Sequence, residues 1–188
     1  MARQRAFTKD ELLDATERLL VERGYDGFHL KGLSEMLSGA RSTIYEYYSN
    51  KDEIVAACMR RSMANILAAC EGLENLESVT AIKKLLAIFL ERANFHRLMQ
   101  AAPKVDQAVS DKVKLDLIYI DKGHEELKTQ LMSLFERART EGNLKNNIPL
   151  PVIVAVFFHA IDTPNWLQLP PEQWAEQLFA LWWNGGGN

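Results

Sequence analysis

The sequence predicts an all-α fold, on three observations. Apolar residues recur at three- and four-residue spacing through most of the 188 positions, and no segment shows the strict alternation of a half-buried strand. Expected helix starts carry Thr or Asn with Glu three residues later, and expected stops carry Gly or Pro. Hydrophobic residues make up 47% of the chain, enough to bury a core. Charged residues make up 25% at a net charge of −3, which excludes both a disordered acidic tail and a uniformly basic nucleic-acid coat.

The first helix is predicted over 8–24. Thr8 and Glu11 form a capping box, Phe7 is placed to staple onto Leu12, and Leu12, Ala15, Thr16 and Leu19 share a face. Gly24 is expected to end it, with Tyr25 folding back on Leu20 as in a Schellman cap. Leu30, Leu33 and Leu37 then mark a short helix before Ser38-Gly39-Ala40, and a second short helix follows over 41–48. Asn50 and Glu53 open a longer helix, about 51–71, that links two domains: 5–52 and 72–188.

Helical pattern continues over 79–92, around 95–101, and over 105–141, with a break expected near Gly123. Gly142-Asn143 closes that stretch. Pro149 and Pro151 start an apolar helix ending before Pro164, Pro170-Pro171 start the last, and the tail 185–187 reads as frayed. The run 152–158 is the longest apolar stretch, far below the roughly 20 residues of a membrane-spanning helix. The basic start, with Arg3, Arg5 and Lys9, lacks the apolar segment of a signal peptide. Cys58 and Cys70 form no CxxC pair, so a soluble protein of the reducing cytoplasm is expected, without disulfide or structural zinc.

Two short helices joined by a tight turn are the parts of a helix-turn-helix, whose second helix enters the DNA major groove. Over 41–48, Ile44 and Tyr48 fall at i and i+4 on the inner face, leaving Arg41, Ser42, Thr43, Tyr45 and Tyr47 outward. Arg41 suits a guanine edge or a phosphate, Ser42 and Thr43 suit base edges or phosphates, and Tyr45 suits backbone oxygens. Lys31 and Lys51 add phosphate-binding charge, Lys51 at a helix start. Against this, residues 1–52 hold 8 basic and 9 acidic side chains, so DNA binding must come from geometry rather than from bulk charge.

The segment Thr43-Ile44-Tyr45-Glu46-Tyr47-Tyr48-Ser49-Asn50-Lys51-Asp52 resembles the recognition-helix signature of the tetracycline-repressor (TetR) family, and Gly24-Tyr25 resembles the end of that family's first helix. The resemblance covers about 7–59 and implies that the family's Thr, Tyr, terminal-aromatic and Lys roles fall on Thr43, Tyr45, Tyr48 and Lys51. It departs from the pattern where Ser38 replaces the usual turn Gly, Gly39 an apolar residue, Ala40 a capping Ser and His29 a Ser/Thr cap. Gly32 adds a cost of about 1 kcal/mol against Ala in a helix interior.

The resemblance further implies a homodimer and a small-molecule effector, making the protein an effector-released repressor. The last two helices carry excess apolar surface, and Val154, Phe157, Phe158, Ile161, Trp174, Leu178 and Trp182 are the expected dimer interface. A two-fold dimer presents two heads to half-sites about 34 Å apart on a near-palindromic operator. Phe89, Phe95, His96, Met99 and Tyr119 are the expected effector pocket. No enzyme is expected: there is no Gly-rich phosphate loop or GxSxG, and His124-Glu125 has Lys128 where an HExxH zinc site needs its second His. Nor is a cofactor or a metal. The competing reading is a helical ligand-sensing or interaction module that does not read DNA, which the atypical turn and near-neutral head allow.

Overall fold

The computed structural model describes residues 6–186; Arg3, Arg5 and Gly187 lie outside the described residues. Helices are α1 (Lys9–Gly27), α2 (Leu30–Met36), α3 (Arg41–Tyr45), α4 (Lys51–Cys70), α5 (Ser78–Glu91), α6 (Asn94–Met99), α7 (Asp111–Thr140), α8 (Leu150–Ile161) and α9 (Pro171–Gly186). Single 3₁₀ turns lie at Leu73–Asn75 and Ala102–Lys104, and no strand occurs among the described residues. The all-α expectation holds.

Packing divides the chain into two compact units, one of Met1–Ala64 with Asn94–Lys122, the other of Asn65–Ala93 with Gly123–Asn188. This division follows side-chain packing and not chain order, so it cuts differently from segments 5–52 and 72–188. Residues 94–122 join the head through Phe95, Leu98, Met99, Val105 and Val113, all buried. Helices α4 and α7 each supply residues to both units.

In the first unit, the Thr8 hydroxyl accepts the Glu11 N–H while the Glu11 carboxylate accepts the Thr8 N–H at 2.7 Å, the capping box read from the sequence. Leu12, Leu13, Ala15, Thr16, Leu19 and Leu20 are buried, and the Thr16 hydroxyl satisfies itself on the Leu12 carbonyl at 2.7 Å. Gly24 behaves differently from the expected Schellman cap. At φ 66° and ψ 177° it occupies backbone space essentially reserved for Gly, and it kinks the chain into one more helical turn. Tyr25 is thereby turned toward the start of α4, where its hydroxyl donates to Asp52.

The second unit is an aromatic core. Phe135 of α7, Phe157 of α8 and Trp182 of α9 meet edge to face, with ring centroids 5.1 to 5.9 Å apart, and Phe89 of α5 meets Phe158 at 5.6 Å. The expected stop at Gly142 is a Schellman motif: Gly142 has φ 79°, its N–H bonds the Arg139 carbonyl, and the Asn143 N–H bonds the Ala138 carbonyl, both at 2.9 Å. The expected break at Gly123 does not occur, since α7 runs unbroken past this buried Gly. Its start is also later than 105. Asp106 takes the Ala108 N–H and Ser110 takes the Val113 N–H, so side chains compete with the helix until Ser110 caps it.

Candidate nucleic-acid interface

The turn between α2 and α3 explains how a short, poorly capped helix is held in place. Helix α2 ends in a Schellman motif, with the Ser38 N–H on the Glu35 carbonyl at 3.2 Å and the Gly39 N–H on the Ser34 carbonyl at 3.1 Å. Ser38 sits at φ 50°, the left-handed position for which the resembled family uses Gly, so this chain carries a side chain where Gly is favoured. Gly39 has a different reason for being small. A Cβ there would lie 2.5 Å from the Phe7 ring, so the apolar residue usual at this position is replaced by Phe7 arriving from the N-terminal arm. Phe7, read from the sequence as a staple onto Leu12, stacks on Tyr47 at 6.1 Å, and the Tyr47 hydroxyl donates to the Phe7 carbonyl at 2.8 Å.

This arrangement sorts the outward set. Arg41, Ser42 and Tyr45 are exposed, Thr43 is half-buried, and none of the four makes a side-chain hydrogen bond or ion pair among the described residues. Tyr47 is not free in the same sense, because it ties α3 to Phe7. Ile44 and Tyr48 are fully buried, as their i, i+4 spacing predicts. The regular helix is shorter than 41–48, ending at Tyr45, because the Tyr47 N–H reaches the Ile44 carbonyl three residues back. Neither His29 nor Ala40 supplies a side-chain cap. Lys31 is exposed and lies 3.9 Å from Glu35, a surface pair of little energetic weight.

Lys51 is also engaged. Its ammonium donates to the Tyr25 carbonyl at 2.6 Å and lies 3.9 Å from the Tyr25 ring centroid. Partial burial pulls its pKa below the usual lysine value. Burial and the Asp52 hydrogen bond push the Tyr25 phenol up, so it stays a donor. The start of α4 closes as predicted by Asn50 accepting the Glu53 N–H at 2.9 Å, although Glu53 returns to the Ser49 N–H and not to that of Asn50. From the other segment of the same unit, Lys104 pairs with Asp26 and the Asp106 N–H reaches Asp52 at 3.3 Å. The geometry is therefore an outward polar edge, Arg41-Ser42-Thr43-Tyr45, on a frame made by Phe7, Tyr47, Tyr25 and Lys51. The frame had no signal in local periodicity, because its contacts span 26 to 40 residues of sequence.

The residues read as an effector pocket fall in both units, and Tyr119 lines a cleft of the first. Phe95, His96, Met99 and Tyr119 belong to the first unit and Phe89 to the second; His96 is exposed, and Phe95, Met99 and Phe89 are buried. The second unit holds a cavity of about 330 Å³ with none of them in its lining. Cys70, Leu73, Leu85, Leu127, Leu131 and Leu134 form its apolar wall, with Arg137 at the edge. The α7 leucines at i, i+4 and i+7 were legible as a buried stripe, but not as a cavity wall. The expected interface set divides as well. Phe157, Leu178 and Trp182 are buried in the unit's own core, and Val154, Phe158, Ile161 and Trp174 are half-buried. Val152, Val156 and Leu181, apolar residues of the same two helices beyond that set, are 49%, 54% and 76% exposed.

A helix-turn-helix with an exposed polar reading edge defines a DNA-binding protein. Residues 12–58, from α1 through the helix-turn-helix into α4, match the model of the bacterial regulatory proteins of the tetR family. The chain is 20% identical over 156 residues, 82% of this chain and 76% of the other, to the uncharacterized HTH-type transcriptional regulator YdeS of Bacillus subtilis (strain 168). Its fold is that of the ketosteroid transcriptional regulator KstR2 of Mycobacterium tuberculosis, with a TM-score of 0.78 at 14% identity over 100% of this chain and 97% of that one. AibR, solved in complex with isovaleryl coenzyme A and operator DNA, matches with a TM-score of 0.69 at 16% identity over 92% and 96%.

Proposed function

We propose that this regulator is a cytoplasmic homodimeric repressor that reads a near-palindromic operator with Lys31, Arg41, Ser42, Thr43 and Tyr45, and leaves it when a small apolar molecule enters the second unit. The observation that carries the DNA-reading part is the exposure of Arg41, Ser42 and Tyr45 without internal partners, on a helix otherwise tied down at Ile44, Tyr47 and Tyr48. Polar side chains that the fold does not use are available to base edges and phosphates. Tyr47 and Lys51 hold this edge in position. AibR, a protein of this fold solved with isovaleryl coenzyme A and operator DNA, supports a regulator that takes both a small molecule and DNA.

For the effector, the 330 Å³ cavity favours a small apolar molecule, within the size range of ordinary ligand sites. Dimerisation is supported by exposed apolar side chains on both helices, Val152 and Val156 at i and i+4 on α8 and Leu181 on α9. Among the described residues, no helix is long and apolar enough to cross a membrane.

The test is a mobility-shift titration on the DNA flanking the protein's own gene, across a salt series with competitor DNA. Saturable binding that weakens steeply with salt is expected, and Arg41→Ala and Tyr45→Ala should each weaken it by roughly tenfold or more. Wild-type affinity in both variants would remove the reading edge from the mechanism.

A further inference from the structure

The first unit contains a second concave site that DNA reading does not use. A cleft of about 890 Å³ opens between the start of α1, the Tyr48 end of the recognition segment, the middle of α4 and the first turns of α7. Its volume suits a small molecule rather than a macromolecular partner.

Three independent features characterise the cleft. Leu115 and Ile118 line it while 65% and 40% exposed, apolar area that the subunit leaves uncovered inside a concavity. Lys9, Lys112 and Lys122 line it as well. Lys9 and Lys122 have no carboxylate within 4 Å among the described residues, and Lys112 comes no nearer than 3.9 Å to Glu53. The third feature is the Tyr48 side chain, only 1% exposed, whose hydroxyl has no hydrogen-bond partner. A buried hydroxyl without a partner is destabilising, and an incoming acceptor would relieve it.

The acidic residues in the cleft are already matched. Asp116 is buried against Arg60 at 3.5 Å, and Arg61 gathers Asp14 at 2.7 Å with Asp10 at 4.0 Å. The charge left over is therefore positive and comes from lysines, with Lys112 standing 4.0 Å from the centre of the Tyr48 ring.

We propose that this cleft binds a small amphipathic anion, its oxyanion accepting from the Tyr48 hydroxyl and facing Lys112 and Lys9, its hydrocarbon covering Leu115 and Ile118. Burial pushes the Tyr48 phenol up to about 12, so it remains a proton donor across the physiological range. The site is separate from the cavity of the second unit, and it stands whether or not the protein reads an operator.

Octanoate is the probe, with octan-1-ol as its uncharged counterpart, measured by calorimetry and by the ring resonances of tyrosine-labelled full-length protein. Octanoate should bind, move the Tyr48 resonances, weaken as salt is raised, and bind at least tenfold more tightly than octan-1-ol. Tyr48→Phe, which removes a hydroxyl that makes no hydrogen bond, should weaken octanoate about tenfold. Lys112→Met, at an exposed position, should weaken it about fivefold and carries the test should Tyr48→Phe fail to fold. Leu131→Phe, which fills the other cavity, should leave the Tyr48 response unchanged. Equal binding of acid and alcohol, wild-type affinity in Lys112→Met, or Tyr48 resonances that stay still at saturating octanoate would each overturn the proposal.

Discussion

The recognition segment and the α8–α9 pair put their most conspicuous side chains to opposite use. Over 41–48, the polar residues Arg41, Ser42 and Tyr45 stand outside, and the frame behind them is aromatic, with Tyr47 bonded to Phe7 and Tyr48 buried. In α8 and α9 the large aromatics Phe157 and Trp182 are inside, and the plain aliphatics Val152, Val156 and Leu181 are outside. Residue type alone singles out both regions, but only orientation separates the side chains left on the surface from the scaffold that holds them. Side chains without an internal partner are the better guide to function in both places.

The largest effect that would sharpen this contrast is in the scaffold of the second unit. Phe157→Ala should cost about 3–5 kcal/mol, because it empties a fully buried site bounded by Phe135 and Trp182. Denaturant unfolding followed by circular dichroism measures this. Val156→Glu with Leu181→Glu should leave the unfolding midpoint within about 0.5 kcal/mol per site and turn the sedimenting species into a monomer. A dimer that survives both charges would move the interface elsewhere.

The head should show the same split on a smaller scale. Arg41→Ala and Tyr45→Ala should each weaken operator binding by about 1–3 kcal/mol while leaving thermal stability unchanged. Tyr47→Phe should instead lower stability by about 1 kcal/mol through the lost bond to Phe7, with DNA affinity falling only as far as α3 loosens. Equal stability losses in the two classes of variant would erase the distinction between edge and frame. The smallest effect concerns the turn: Ser38→Gly should stabilise the head by up to about 1 kcal/mol, since Gly adopts φ 50° without the Cβ penalty. A thermal melt of the variant checks the sign.

Much of the molecule was legible from local pattern. The Thr8–Glu11 capping box, the stop at Gly142, the helix starts near Pro149 and Pro171, and the burial of Ile44 and Tyr48 all depend on residues within a few positions of one another. These are the distances over which backbone hydrogen bonds and side-chain periodicity act. The all-α fold and the outward placement of Arg41, Ser42, Thr43 and Tyr45 follow from the same short-range rules.

The tertiary structure decided what depends on distant partners. It gave Tyr47 and Lys51 to the frame, because Phe7 and Tyr25 arrive from 40 and 26 residues away. It made Gly39 obligatory through the Phe7 ring, and took Phe157, Leu178 and Trp182 into the core, leaving Val152, Val156 and Leu181 outside. It also left the Tyr48 hydroxyl without a partner at a cleft. An apolar or aromatic residue at a given helical position has the same local energetics whether its face meets its own core, a partner or a ligand. Which of these it meets is set by how separate helices close-pack, and close packing is a property of the assembled chain.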